Sequence, residues 1–102
     1  MIPADILAYI EVRFTPAERD EAIALIESAV LPKAKPADDR CRRCALVASH
    51  GDMTRLAYGI ERLRVDFRDV IVAGEYETVN GKLMRVRNLD EPITADLLQR
   101  PK

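Results

Sequence analysis

The chain has 102 residues, 48% hydrophobic and 32% charged, with a net charge of −1, the composition of one soluble domain that can bury a core without metal or disulfide support. Residues 1–51 carry seven Lys/Arg against eight Asp/Glu and residues 52–102 nine against nine, so no sustained positive field draws a phosphate backbone and nucleic acid is an unfavoured partner. No run approaches the ~18 apolar residues of a membrane span, and MIPADILAYIEVRF lacks the basic leader and long apolar run of a signal peptide, so no membrane association and a cytoplasmic location with reduced thiols are expected.

Ile2 to Val12 reads as a first helix, with Pro3 at its opening and Ile6, Leu7 and Ile10 as its apolar stripe. The sequence TPAE at Thr15–Glu18 is a capping box for a second helix, whose apolar face runs from Ala22 to Val30 and stops before Pro32. LPKAKPADD, with two prolines, reads as a linker that lets helices two and three pack at a loose angle. Asp38 or Asp39 then caps a third helix that ends at Gly51, a residue suited to the left-handed conformation. Asp52 caps a fourth helix with Leu56, Ile60, Leu63 and Phe67 on one face. Asp66 and Asp69, three apart, predict a break near Val65 or Asp66, after which a fifth helix carrying Phe67, Val70, Ile71 and Gly74 folds back on the hairpin of the two before it. Beyond Tyr76 the pattern changes. Asn80-Gly81 between two runs with β-branched and apolar members signals a β-hairpin over 76–87, with an extended tail as the alternative, because alternation beside the turn is poor and a lone hairpin is marginal in water. Residues 93–102 are expected to be a flexible tail. The expected fold is thus all-α: a compact bundle of four to five short helices in one domain, residues 1–92, with a β-hairpin as its one departure.

Cys41 and Cys44 stand one helical turn apart beside Arg40, Arg42 and Arg43, and His50 follows. A helix N-terminus and neighbouring cations both favour a thiolate, which is the argument for a thiol redox or sulfur-handling site. Against it, a thioredoxin-type CxxC follows a strand, whereas LPKAKPADDR precedes Cys41. A structural zinc site needs four ligands, usually two pairs, and the chain offers one pair plus a lone histidine. The favoured reading makes the cysteines small packed residues of helix three and puts His50 against the carboxyl end of that helix. No glycine-rich phosphate loop, nucleophile elbow or facing acid pair is present, so nothing argues for an enzyme and no motif asks for a cofactor.

Asp66 to Tyr76, DFRDVIVAGEY, combines an apolar stripe with Arg68, Asp69, Glu75 and Tyr76 around it. These four are the candidate binding residues of a helix that packs one face inward and offers the other to a partner.

The segment CALVASHGDMTRLAYGIERLRVDFRDVIVAGEY resembles the C-terminal helical part of small bacterial helical proteins that end a helix at a Gly-Asp junction and then carry Asp-aromatic-Arg-Asp-Val and a closing Glu-Tyr. Here those features are Gly51-Asp52, Asp66-Phe67-Arg68-Asp69-Val70 and Glu75-Tyr76, within a third of the chain. The resemblance implies a small helical bacterial protein with no established activity. It departs at Gly74, where a larger residue is expected and loose packing of the last turn is implied, and it makes Cys44 one of several apolar choices. Three functional expectations follow. The first is a non-catalytic module that binds an unidentified protein, or itself as a homodimer, through the last helix and the hairpin. The second is a redox or metal-binding protein using Cys41, Cys44 and His50. The third is a nucleic-acid-associated regulator using Arg40, Arg42, Arg43, Arg62, Arg64 and Arg68.

Overall fold

The computed structural model describes residues 2–98. Helix α1 (Ala4–Arg13) is followed by α2 (Arg19–Glu27), a two-residue ladder of β1 (Val30–Leu31) with β2 (Lys35–Pro36), α3 (Asp39–Ser49), α4 (Met53–Glu75), the hairpin strands β3 (Tyr76–Val79) and β4 (Lys82–Arg85), and a one-turn α5 (Ala95–Leu98). Helices make up 62% of the structure, yet the chain is not strictly all-α because the antiparallel β3–β4 pair forms near the C-terminus. Asn80 and Gly81 both take positive φ, 50° and 78°, the geometry a two-residue hairpin turn requires.

The capping box before α2 is half built. Glu18 accepts the backbone N–H of Thr15 at 3.2 Å, but the Thr15 hydroxyl donates to the same carboxylate rather than capping the helix, and α2 starts only at Arg19. The proline-rich segment is no loose linker. Val30 pairs with Pro36 and Leu31 with Lys35 around a 3₁₀ turn at Pro32–Ala34, and the Ala37 N–H donates to Ala29 O, so α2 and α3 are joined by a tight ribbon lying against α4.

Helix α3 is the centre of the molecule. Asp38 caps it by accepting the Cys41 N–H at 2.9 Å, and His50 (φ 52°) with Gly51 (φ 80°) ends it in left-handed backbone. Between them Cys41, Arg43, Cys44, Ala45, Leu46, Val47 and Ser49 are all buried. The structure surrounds this helix, with α1 and α4 packed against it and Leu89 and Ile93 completing the core.

Helix α4 explains how. Asp52 caps it through the Arg55 N–H at 2.9 Å, and at Asp66 the backbone leaves helical geometry (φ −153°, ψ 97°), where the sequence predicts a break. The Asp66 carboxylate accepts the Arg68 N–H at 3.1 Å and so starts the second arm. The arms, 53–65 and 67–75, are sharply folded on one another. A Cβ at Gly59 would stand 3.6 Å from the Ala45 side chain and one at Gly74 2.6 Å from Cys44 Cα, so two residues of α4 fifteen positions apart stand on adjacent residues of α3. In a straight helix they would span about 22 Å. Gly74, far from loosening the last turn, is what lets the second arm touch the α3 backbone.

The segment 93–98 also differs from expectation. Ile93 is buried, its N–H donates to Asp5 at 2.9 Å, and Arg13 Nη2 donates to Leu97 O at 3.0 Å. Two backbone anchors and a core side chain thus dock this stretch on α1; the rest of the expected tail, residues 99–102, lies outside the described residues.

Candidate functional site in the elbow of helix α4

Glu75, last residue of α4, is fully buried. Its carboxylate accepts Arg40 Nε and Nη2 at 3.0 and 2.8 Å, Arg85 Nε at 3.0 Å and the Leu89 N–H at 3.0 Å, while its carbonyl accepts both Val86 N–H and Arg87 N–H. These two bonds to one carbonyl lie just beyond the Tyr76–Arg85 pair that ends the ladder. Burial by itself raises the Glu75 pKa, but the Arg40 bonds, the Leu89 N–H and the charges of Arg40 and Arg85 outweigh it and hold the carboxyl below its ordinary value. Glu75 is therefore the post that fixes hairpin, second arm and α3 to one another. It is withdrawn from the surface on which the sequence placed it with Arg68, Asp69 and Tyr76. Of those three, Arg68 and Asp69 are exposed and Tyr76 is half-buried.

The cysteines lie under this post. Burial, followed by the Asp38 hydrogen bond and charge at Cys41 and by the Glu75 charge at Cys44, pushes both thiols up to about 12. Arg40 acts in the opposite direction but is outweighed, and Arg43 is spent on Asp5, with Nε–Oδ2 at 2.8 Å. Position in the first turns of the helix, which argued for a thiolate, loses to desolvation. His50 is exposed at the end of α3, in a cleft it shares with Tyr9, Tyr76 and Arg87, and not with the thiols. Among the described residues no three His, Cys, Asp or Glu side chains gather in a way that could hold a metal.

The six arginines of the nucleic-acid reading are engaged within the chain. Arg40 binds Glu75, Arg42 donates to Ile26 O, Arg43 binds Asp5, Arg62 binds Asp69, Arg64 binds Glu61 and Arg68 binds Asp66. Each guanidinium of this set thus has a partner among the described residues.

Between the arms of α4 lies a cleft of about 390 Å³. Its small lining residues are Ala48 of α3, Gly59 of the first arm, and Val70 and Ala73 of the second, of which Val70 is buried and Ala73 exposed. Its rim carries Arg55, Tyr58 and Arg62 from the first arm and Asp69 from the second. Arg62 and Asp69 meet at 2.5 Å and clasp the arms together. The guanidinium of Arg55 makes no hydrogen bond or ion pair with any described residue, and Tyr58 is 69% exposed. Two arginines against one aspartate leave the rim with one net positive charge. Asp69 was among the sequence candidates; Arg55 and Tyr58 were missed, because only the fold-back at Asp66 makes one site of residues fourteen positions apart.

Neither protein-family models, nor curated sequences, nor solved structures match this chain. Among the described residues no helix is long and apolar enough to cross a membrane.

Proposed function

We propose that the protein is a non-catalytic interaction module that binds another protein through the α4 elbow, with the β3–β4 hairpin as a second contact. The observation that carries this reading is the elbow cleft: small apolar residues beside a mostly exposed tyrosine and an arginine whose guanidinium has no partner among the described residues. Large exposed aromatics and arginines are the side chains that anchor protein interfaces. The hairpin adds Val79, Leu83, Met84 and Val86, all exposed, on a ribbon held at its base by Glu75. Alternation puts Val79 and Met84 on one face and Leu83 on the other.

A photo-crosslinking residue at position 58 or 83, introduced in the native host, tests the reading against the same residue at Ala24, exposed on α2. Defined protein adducts at 58 or 83 and none at 24 support it; equal or absent labelling at all three overturns it.

A further inference from the structure

Taking the elbow as the binding surface, we infer that it recognises a carboxylate next to an aromatic ring, presented by an acidic aromatic segment of a partner protein. The rim has one surplus positive charge, and it resides on Arg55, whose planar fork has no partner among the described residues and suits a carboxylate in two parallel hydrogen bonds. A carboxylate seated there lies on the same rim as Arg62, which Asp69 already holds, so the incoming acid meets two guanidiniums and one competing aspartate. The ring of the ligand is placed by what surrounds that spot. Gly59 and Ala73 leave room for a flat group, and Tyr58 stands at the rim as its stacking or edge-to-face neighbour.

The form of the cleft argues for a protein-borne group over a free small acid. Enclosed small-molecule sites cover some 70–90% of their ligand; here one wall is a side chain 69% exposed, so the cleft covers one side of a ring and leaves the other toward solvent, where the body of a docking partner would close it. A basic apolar cleft that is half a pocket fits a side-chain pair projecting from another surface.

The test uses the full chain, nitrogen-15 labelled, titrated with three probes: the peptide acetyl-Gly-Glu-Trp-Gly-amide, its Gln counterpart, and indole-3-acetate. The Glu peptide should give saturable shifts of the Ala48, Gly59 and Ala73 amides. The Gln peptide should bind about tenfold more weakly or worse, the loss expected for a charge-assisted hydrogen bond. Arg55→Gln should weaken the Glu peptide to the same extent and leave the melting temperature unchanged, because the Arg55 guanidinium has no partner among the described residues. Tyr58→Ala should weaken both peptides alike. Equal binding of the Glu and Gln peptides, or an Arg55→Gln protein that binds the Glu peptide as wild type does, overturns the inference. So does indole-3-acetate binding in the cleft while the peptide does not. Protein adducts at position 58 without Glu-peptide binding would leave the interaction module standing and remove its acid specificity; peptide binding without adducts would do the reverse.

Discussion

Replacing Glu75 by glutamine removes one charge and changes almost no volume. The carboxylate accepts three hydrogen bonds from two arginines and one from the Leu89 amide. The amide keeps one acceptor oxygen and turns an NH₂ group toward guanidinium donors. Breaking a buried ion pair on one side costs about 3–5 kcal/mol. Arg40 and Arg85 retain 33% and 43% of their side-chain exposure and can turn to water, which brings the expected loss to about 2–3 kcal/mol. For a domain of this size that is a fall in melting temperature of about 10–20 °C. The acid limb should change as well. A carboxyl whose folded pKa is lowered contributes stability that is complete above its unfolded value, about 4.3, and is lost as pH falls through the lower folded one. Wild-type stability should thus drop below about pH 4.3, and Glu75→Gln should lack its share of that drop, retaining the share of Asp5, which is lowered in the same direction: burial raises it, and Arg43 and the Ile93 N–H outweigh burial. Urea unfolding from pH 3 to 7 reads both effects. A variant within about 0.5 kcal/mol of wild type at pH 7, or one with the full acid drop, refutes the account of Glu75 as a charged post.

The two glycines of α4 that face α3 should respond with opposite signs. Gly74→Ala puts a methyl 2.6 Å from Cys44 Cα and 2.8 Å from its carbonyl oxygen, both backbone, and should cost about 2–3 kcal/mol in urea melts; Gly59→Ala meets only an ordinary 3.6 Å contact and should gain up to about 1 kcal/mol from helix propensity. Both thiols, pushed up to about 12, should resist a thiol reagent at pH 7.5 until denaturant is added, and labelling of either within seconds in the native protein would contradict their burial. Asp5→Asn should release the 93–98 segment, seen as faster amide exchange at Ile93, whose N–H the Asp5 carboxylate accepts; unchanged exchange there would show that the apolar contacts of Ile93 suffice.

Residue by residue, the features legible in the chain were those whose physics is local. Asp38 and Asp52 cap helices through N–H groups three residues on, Asp66 breaks α4 and restarts it through an N–H two residues on, and Asn80-Gly81 turns a hairpin through its own backbone angles. Each of these is settled within a few positions, so the sequence alone determined it. The tertiary structure decided what depends on partners far along the chain. Glu75 could be a surface carboxylate or a buried post, and Arg40, thirty-five residues away, makes it a post. The end of the chain could fray or dock, and Asp5, eighty-eight residues from Ile93, docks it. Gly74 reads as a gap in a helix until Cys44 Cα arrives 2.6 Å from its missing Cβ. The elbow cleft belongs to the same class: a break at Asp66 is written locally, but the angle it takes is set by the packing of both arms on α3, and only that angle brings Arg55, Tyr58 and Asp69 to one rim.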